Sequence, residues 1–232
     1  MQNPFIADRY ELLEWCGRGA VGQVYRAYDH LEKRHVALKM PISDKEHALL
    51  ASIEHSQIPS CYDCCQVDEQ MQALVMEWIE GETLYEYLHM RDPLTLVELN
   101  QIVETLCLLL YSLETQPKPI CYNDLHSRNV LRRASDGRLF LIDFSHSCWS
   151  LDEEYPPQSA WLLRQFVECD LLPFLEEGEA NTAITHWCEH HYRWSSKGRE
   201  DGTVQEFFQQ WRALLESLGI NATDDLLKTS SC

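Results

Sequence analysis

A glycine-rich loop near the start of the chain is the first feature whose spacing suggests chemistry. Gly17, Gly19 and Gly22, with Ala20 between them and Val24 after them, form a G-x-G-x-x-G-x-V pattern. Glycine lets the backbone come close to phosphate groups and adopt angles that a Cβ forbids. The same spacing occurs in tight turns and in dinucleotide-binding folds, but a β-prone run follows here, whereas a dinucleotide site requires a helix. The pattern therefore predicts a phosphate-binding loop between two strands.

A lysine and a glutamate follow this loop at a spacing that allows an ion pair. Lys39 ends a β-prone run that includes Ala37, and Glu46 lies seven positions further on, at the start of a helical stretch. A lysine on a strand is by default a solvated charge. If it points into a cleft, its ammonium group can instead pair with nucleotide phosphates, and Glu46 can hold it in position. We therefore expect a phosphate-neutralising lysine on the third strand.

Pattern changes along the chain predict an α+β scaffold for these residues. The first third reads as strands with one inserted helix, because short β-prone runs alternate with turn-forming residues. The tail reads as helical, since apolar residues recur at three- and four-residue steps. The predicted strands span 10–17, 24–29, 35–40, 73–78, 120–122, 130–132 and 138–143. The predicted helices span 44–54, 95–115, 160–176, 182–193 and 204–218.

Three later segments complete a resemblance to the protein kinases. Residues 75–81 read Val-Met-Glu-Trp-Ile-Glu-Gly, residues 122–129 read Tyr-Asn-Asp-Leu-His-Ser-Arg-Asn, and residues 141–145 read Leu-Ile-Asp-Phe-Ser. With the glycine-rich loop and the run that ends at Lys39, they follow the order of the protein kinase signature. The resemblance implies a single bilobal kinase-like domain, with an antiparallel-sheet N-lobe at 1–77, a hinge at 78–81 and a truncated helical C-lobe at 82–232.

The resemblance also implies ATP and Mg²⁺ as cofactors and assigns a role to each motif residue. Lys39, positioned by Glu46, would neutralise phosphate charge, while Asn129 and Asp143 would hold the Mg²⁺ ion. Asp124 would accept or orient the proton of the acceptor hydroxyl. Contacts with ATP are expected at Gly17, Gly19, Ala20, Gly22, Val24, Ala37, Lys39, Met76, Glu77, Trp78 and Ile79, with Met76 as the gatekeeper of the hinge.

Some positions depart from the protein kinase pattern and leave the substrate open. Asn123 replaces the arginine before the catalytic aspartate, and Ser145 replaces the last glycine of the metal-binding motif. His126, also a catalytic candidate, stands where Ser/Thr kinases usually have a lysine near the γ-phosphate. In this respect the loop is similar to that of aminoglycoside phosphotransferases, and the short C-lobe is similar to small atypical kinases such as the RIO family.

Three functions remain open on this basis. We predict a protein serine/threonine kinase, because all five polar catalytic positions are filled. A small-molecule kinase of the aminoglycoside-phosphotransferase type is the alternative that His126 favours, and a pseudokinase acting as a binding module is the third. Because Asn123 carries no charge that could bind a phosphate, we expect no requirement for phosphorylation of the segment after Asp143.

The charge balance narrows the classes of partner. The chain carries 19 Lys and Arg against 37 Asp and Glu, a formal net charge of -18. Such a surface repels nucleic acid and anionic membrane, so we expect neither as a partner, and it could favour a basic protein substrate or regulator. The first ten residues lack a signal-peptide core, and the apolar run at 106–111 is too short to cross a bilayer. We therefore expect a cytoplasmic location and reduced cysteines.

Two groups of metal-ligating side chains stand apart from the kinase motifs. Residues 61–65 contain a C-x-x-C pair, and residues 186–191 read His-Trp-Cys-Glu-His-His. A structural zinc site usually needs two ligand pairs at a recognisable spacing. Core packing for the first group and a surface helix for the second are therefore the favoured interpretations, with zinc as the alternative in each.

Overall fold

The chain forms two compact units. The computed structural model describes residues 5–18, 21–150, 158–192, 194–195, 198–199 and 202–220. The first unit falls within Met1–Glu82 and Leu131–Ser147, and the second within Thr83–Val130 and Cys148–Cys232. The chain therefore leaves the first unit after Glu82 and returns to it at Leu131.

A six-stranded antiparallel sheet forms the first unit, in the order β1-β2-β3-β4-β6-β5. Its strands are β1 (Phe5–Ile6), β2 (Tyr10–Arg18), β3 (Gln23–Asp29), β4 (Arg34–Met40), β5 (Cys61–Gln66) and β6 (Gln72–Glu77). Strands β2, β3, β4 and β6 lie within a residue or two of their predicted bounds. Strands β1 and β5 were not predicted, and the three cysteines of β5 suggested core packing or a metal site in place of strand pairing. The antiparallel-sheet N-lobe of the predicted α+β class is confirmed.

The two faces of this sheet have different roles, because side chains alternate along a strand. One face carries a buried apolar cluster formed by Tyr10, Ala27, Val36, Leu38, Ala73 and Val75. The pairing register places Val24 opposite Lys39 and Ala37 opposite Met76. Cross-strand partners share a face, so these four residues line the face that the apolar cluster does not use. Burial of the cluster thus orients Lys39 away from it.

The helix that carries Glu46 begins immediately after β4. Helix α1 (Asp44–Ala51) starts at an N-cap, Ser43, whose Oγ accepts a hydrogen bond from the Glu46 backbone N–H at 3.1 Å. The cap satisfies one of the free amide groups of the first turn and fixes where the helix begins. Glu46 therefore occupies a defined position in the first turn. The prediction extended this helix to residue 54, but it ends three residues earlier, at Ala51.

A small three-stranded sheet brings the chain back to the first unit. Its order is β10-β9-β7, formed by β7 (Gly81–Thr83), β9 (Val130–Arg133) and β10 (Leu139–Leu141). A Cβ at Gly81 would lie 2.1 Å from the Arg132 carbonyl oxygen, so only glycine fits this close approach. The Ala134 N–H donates to the Glu80 carbonyl at 2.9 Å beside it. These contacts fix the path towards Asp143, two residues after β10.

Helices dominate the second unit, as predicted. They are α2 (Leu84–His89), α3 (Leu96–Glu114), α4 (Ser159–Phe166), α5 (Glu179–His190) and α6 (Val204–Ser217). Helices α3 and α6 each begin with a capping box, Thr95 with Glu98 and Thr203 with Glu206. Two short ladders accompany them: β8 (Ile120–Cys121) pairs with β11 (Cys148–Trp149), and β12 (Trp194–Ser195) pairs with β13 (Gly198–Arg199). Helix α2 and strands β7, β11, β12 and β13 were not predicted.

Helix α3 begins and ends one residue inside its predicted bounds of 95 and 115, and its apolar stretch extends beyond the run at 106–111. Its 19 residues have a mean hydropathy of 1.4 in the most apolar window, which by length and composition alone suffices to cross a membrane. The apolar run at 106–111, on which the sequence-based expectation rested, is only part of this helix. In the fold, 56% of that window is buried inside the protein. The indole N–H of Trp211 on α6 donates to the Asn100 side chain at 3.0 Å, as in a core helix packed against a neighbour.

The helix predicted at 160–176 is the largest error in the fold. The α-helical part ends at Phe166, a π-helical turn covers Val167–Leu171, and a 3₁₀ turn covers Leu172–Phe174. Pro173 lacks the N–H that a continuing α-helix needs, which accounts for the end of regular structure there. The π turn inserts an extra residue into the spiral and changes the direction of the side chains after it.

An ion-pair network at the turn between β3 and β4 stabilises the first unit. Asp29 is 1% exposed and accepts hydrogen bonds from Arg9 Nε at 2.8 Å and Arg9 Nη2 at 2.7 Å. It also accepts from the backbone N–H groups of Leu31 and Glu32, at 3.0 and 3.2 Å. The carboxylate thus joins the start of β2 to the turn that leads into β4, the strand of Lys39.

We expect Asp29→Ala to destabilise the protein by about 2–3 kcal/mol, because a part-buried guanidinium and two turn amides lose their acceptor. Glu11→Ala is the matched control, since Glu11 pairs with His30 at the surface, and such an exposed pair contributes about 1 kcal/mol or less. The free energy of unfolding from urea titration measures both. Equal losses in the two variants would contradict the structural role of Asp29.

Candidate active site

Three charged side chains of the first unit meet at the sheet face opposite the apolar cluster. The Lys39 ammonium donates to Glu46 Oε1 at 2.6 Å and to Asp143 Oδ1 at 2.7 Å. Lys39 is 2% exposed and Glu46 is 3% exposed. A buried charge is costly unless it is paired, and here one ammonium is shared by two carboxylates. The predicted pairing of Lys39 with Glu46 is therefore present, and Asp143 joins it.

The two carboxylates differ in electrostatic environment. Burial raises the pKa of Glu46, and the Lys39 charge offsets this only in part. Burial also opposes ionisation of Asp143, but the Lys39 charge and the hydrogen bonds from Lys39 and Ser145 outweigh it, so the pKa of Asp143 is lowered. Asp143 is consequently the carboxylate that stays ionised as the pH falls. An ionised carboxylate is the oxygen donor that Mg²⁺ prefers.

The backbone at Asp143 is held in an unusual conformation. Its φ angle is 61°, in the left-handed region that residues with a Cβ rarely adopt. Ser145 donates to Asp143 Oδ1 from its N–H at 3.1 Å and from its Oγ at 2.7 Å. The serine that replaces the expected glycine therefore stabilises the aspartate side chain. Strained backbone of this kind is common at functional sites.

A second group of candidate residues lies in the loop of the second unit between β8 and β9. The amide nitrogen of Asn129 donates to the Asp124 carbonyl at 2.9 Å and to Asp124 Oδ2 at 3.0 Å. His126 Nε2 lies 3.7 Å from Asp124 Oδ1. The Asn129 nitrogen is committed to Asp124, which leaves the amide oxygen as a donor for a cation. The predicted catalytic positions 124, 126 and 129 are thus brought together within this unit.

The backbone of this loop is fixed at Ser127 from both sides. Its N–H donates to Asp170 Oδ1 at 2.9 Å, and its carbonyl accepts from the Tyr85 N–H at 3.0 Å. The guanidinium of Arg128 lies 3.5 Å from the centre of the Tyr85 ring, a cation–π contact. Asp170 belongs to the π turn after α4, and sequence reasoning missed it because an acidic residue inside a predicted helix has no local signal of such a contact.

Asn123 is occupied by a neutral neighbour. Its side-chain nitrogen donates to Cys148 Sγ at 3.4 Å, across the β8–β11 ladder. Protein kinases usually have an arginine at this position, and its side chain would carry a positive charge. The Asn123 amide carries none and makes only this weak hydrogen bond. The acidic stretch at 152–154 lies outside the described residues, so the expectation about phosphorylation of this segment stays a prediction.

The structure describes the two ends of the glycine-rich loop but not its middle. Gly19 and Ala20 lie outside the described residues, whereas Gly17 is the last residue but one of β2 and Gly22 directly precedes β3. A Cβ at Gly22 would meet the Pro41 carbonyl oxygen at 2.8 Å, so glycine is required by close approach of the backbone. Val24 and Ala37 are apolar residues on the same sheet face as Lys39.

The hinge residues carry backbone N–H groups that can donate hydrogen bonds. Glu77 N–H already donates to the Ser60 carbonyl at 2.9 Å, but within the described part of the chain the Ile79 N–H has no recorded acceptor. The Ile79 residue as a whole is only 6% exposed. Trp78 Nε1 donates to Glu80 Oε2 at 2.8 Å, which turns the indole towards Glu80. The free Ile79 amide is the donor that an adenine ring edge would need.

A cavity of about 450 Å³ adjoins the hinge but is a different feature. It is lined by Glu77, Trp78, Ile79, Glu80, Arg133, Ala134 and Ser135. The lining contains neither the glycine-rich loop nor the Lys39 face. The chemistry of the charged cluster, and not the size of this cavity, therefore identifies the candidate site.

The cysteine group at 61–65 offers poor metal ligands. Cys61, Cys64 and Cys65 lie on strand β5 with intermediate burial. Burial raises the pKa of Cys61 and Cys64, and raises that of Cys65 to about 11. A metal-binding cysteine must be a thiolate, so this environment favours the packing interpretation.

The residues present fit the proposed cofactors. Mg²⁺ takes oxygen donors: the first unit offers the ionised carboxylate of Asp143, and the second unit, taken by itself, offers the amide oxygen of Asn129. Lys39 supplies a positive charge, and Ile79 supplies a backbone N–H donor. Gly22 has no Cβ and so allows a ligand to approach the backbone closely. These groups match the needs of a nucleoside triphosphate: charge for its phosphates and a hydrogen bond for its base.

The comparisons with known proteins point to one family. A family model described as a protein kinase domain matches residues 10–167. The chain is 29% identical over 171 residues to serine/threonine-protein kinase tousled-like 2 of Xenopus tropicalis, covering 66% of this chain and 24% of that protein. It is 28% identical to the Homo sapiens tousled-like 2 protein over the same length, covering 66% and 22%. It is also 30% identical over 138 residues to serine/threonine-protein kinase PrkC of Bacillus subtilis, covering 54% and 21%. The chain thus spans about a quarter or less of the length of these relatives.

We expect Asp170→Ala to loosen the loop at Ser127. Amide hydrogen exchange there should rise roughly tenfold, because a hydrogen bond to a charged acceptor is worth about 1.5 kcal/mol. Asp170→Asn keeps an oxygen acceptor and should have a smaller effect. Glu168→Ala, on the same π turn and paired with Arg164, is the control. Exchange at Ser127 that is the same in all three variants would rule out the positioning role.

The pKa of Glu46 gives a prediction about stability and pH. The pKa of Glu46 is higher in the folded state than in the unfolded state, so binding of a proton to Glu46 favours folding. This contribution to stability is complete below the unfolded-state pKa of about 4.3. It is lost as the pH rises through the folded-state pKa. The difference in unfolding free energy between wild type and Glu46→Gln should therefore grow, in favour of wild type, as the pH falls from neutral towards that value.

Glu98→Gln is the control of opposite sign. Hydrogen bonds from Thr95 and Arg91 lower the pKa of Glu98, so its contribution to stability is lost as the pH falls. The difference between wild type and this variant should shrink over the same titration. Parallel curves for the two variants would show that the burial of Glu46 does not control its ionisation.

Proposed function

The chain belongs to the protein kinase domain family, and we propose that it transfers the γ-phosphoryl group of ATP to a serine or threonine hydroxyl of a protein. The observation that carries this proposal is the buried Lys39 ammonium, held by Glu46 and Asp143 on the sheet face shared with Val24 and Ala37. The three relatives described above are all named serine/threonine-protein kinases, which supports the choice of acceptor.

In the proposed reaction, each candidate residue has one task. Asp124 accepts the proton of the acceptor hydroxyl as the oxygen–phosphorus bond forms and the bond from the γ-phosphorus to the leaving ADP breaks. Lys39 neutralises phosphate charge, and Glu46 keeps its ammonium in place. Asp143 and Asn129 would hold Mg²⁺, which when bound neutralises the charge that develops on the phosphates. The Ile79 amide would orient the base.

The acidic surface supports a preference for basic protein substrates. With a formal net charge of -18, the chain attracts positively charged segments and repels acidic ones. Long-range attraction of this kind raises association rates and weakens with salt. We therefore expect the KM for a basic protein substrate to rise as the salt concentration increases.

A small-molecule acceptor is the second candidate, and one contact favours it. His126 Nε2 lies 3.7 Å from Asp124 Oδ1, at the position where the Ser/Thr kinase pattern has lysine. The deciding assay uses purified chain with radiolabelled ATP and Mg²⁺, once with basic proteins and once with a panel of small alcohols and aminoglycosides. Label on protein supports the proposal; label only on small molecules supports the second candidate; no label with intact ATP binding indicates a pseudokinase.

Two substitutions separate binding from transfer. Asp124→Asn should leave ATP affinity near that of wild type and lower turnover by roughly 10²–10⁴-fold, because only proton acceptance is lost. Asp143→Asn should lower both turnover and Mg²⁺-dependent ATP affinity, because a metal donor is lost. Nucleotide affinity comes from fluorescence titration, and Asp136→Asn, an exposed carboxylate in the β9–β10 turn, is the control. Wild-type turnover in either test variant would refute its assigned task.

A further inference from the structure

Helix α5 carries three metal-ligating side chains on one exposed face, far in sequence from the phosphoryl-transfer residues. His186, Glu189 and His190 are all exposed, and one ligand atom from each lies within 4.8 Å of the other two. Residues three and four apart on a helix are neighbours on its surface. The two imidazole rings are 4.2 Å apart between centroids. The helix itself therefore brings the three donors together.

One hydrogen bond prepares His190 to act as a ligand. Its Nδ1 lies 2.7 Å from the His186 carbonyl oxygen. A carbonyl can only accept, so Nδ1 carries the hydrogen and Nε2 keeps the lone pair that a metal needs. Metal-bound histidines commonly donate their second nitrogen to a backbone carbonyl, which fixes the tautomer and the ring orientation. The arrangement at His190 is of this kind.

The opposite face of α5 is anchored, so the donors project from a rigid element. Trp187 is buried and packs edge-on against Phe207 and Trp211 of α6, with ring centroids 5.5 and 5.8 Å away. Ile184 and Cys188 are fully buried beside it.

The donor set selects the type of ion. Two imidazoles and a carboxylate suit divalent ions such as Zn²⁺, Cu²⁺ and Ni²⁺, whereas Mg²⁺ and Ca²⁺ prefer oxygen donors alone. Zinc–nitrogen bonds are about 2.1 Å, so two ligand atoms of one ion are at most about 4.2 Å apart. Small rotations of exposed side chains cover the remaining distance from the observed separation.

We propose that His186, Glu189 and His190 form a surface site for one Zn²⁺ ion, distinct from the Mg²⁺ site of the phosphoryl-transfer residues. The three donors would bind the ion in three of its four positions and leave the fourth to water or to a donor from another molecule. A bound ion links positions one helical turn apart and thereby stabilises the C-terminal turns of α5.

The test is zinc binding by the whole chain in excess Mg²⁺, with Zn²⁺ alone as the probe. Equilibrium dialysis should show one site that His186→Ala and His190→Ala each weaken by at least about tenfold, the usual cost of disturbing a metal centre. Glu189→Gln should weaken it less. His89→Ala is the matched control, because His89 is also exposed on a helix and also bonds a backbone carbonyl through Nδ1. It should bind zinc like wild type.

Cobalt substitution identifies the ligands, since the ten cysteines offer other sites. Co²⁺ at the proposed site should give visible bands without the strong near-ultraviolet band of cobalt–thiolate bonds, and both histidine variants should lose them. If an alanine variant folds poorly by circular dichroism, glutamine at the same position replaces it. Zinc affinity unchanged in both histidine variants, an equal loss in His89→Ala, or a thiolate spectrum that persists in the variants would overturn the proposal.

Discussion

The Lys39 ammonium is nearly cut off from water, and much of the first unit follows from the need to pair it. Burying an isolated cation costs several kcal/mol even after relaxation. Two carboxylates from distant parts of the chain meet this need. Glu46 comes from a helix whose start is fixed by its cap, and Asp143 comes from the stretch that returns at Leu131. The Gln57 side chain donates to the Leu139 carbonyl at 2.8 Å and so ties that stretch to the segment between α1 and β5. The Lys39 ammonium on the sheet thus connects helix α1, through Glu46, to the segment that follows β10, through Asp143.

The second unit positions its residues in another way. Its candidate loop contains no buried ammonium; it is held through backbone hydrogen bonds at Ser127 and through the amide of Asn129. Asp124 and His126 stay partly exposed, with side chains 32% and 40% accessible. A group that must exchange protons with a substrate benefits from such access, provided that the backbone beneath it is rigid. Asp170 and Tyr85 supply that rigidity from elements on either side.

Local patterns selected the candidate residues, because each belongs to a motif with fixed spacing, and the structure shows the predicted contact between Lys39 and Glu46. The glycine-rich loop, Lys39 and Glu46 could be identified from short-range sequence, and alternation along β4 accounts for the face that Lys39 occupies. Asp170 could not be found this way, since its contact with Ser127 spans 43 residues and depends on a π turn. The same turn ended a helix that apolar periodicity had extended to residue 176. Strand β5 was not predicted because its cysteines, tyrosine and aspartate give only a weak alternation of apolar and polar residues. Its pairing with β6 depends on tertiary contacts, which the local sequence does not show.

The return of Leu131–Ser147 to the first unit has a consequence for how the protein is made. Lys39 and Asp143 are 104 residues apart, and ribosomes add about 5–20 residues per second, so on the order of 5–20 s separate the synthesis of the lysine from that of its second carboxylate. During that interval the nascent sheet can pair its neighbouring strands, but Lys39 has only Glu46. Such long-range closure is slow relative to local pairing, because the chain entropy is lost before the contact forms. The part of the first unit within Met1–Glu82 is therefore made first, and its fold is completed only when the segment Leu131–Ser147 has been synthesised.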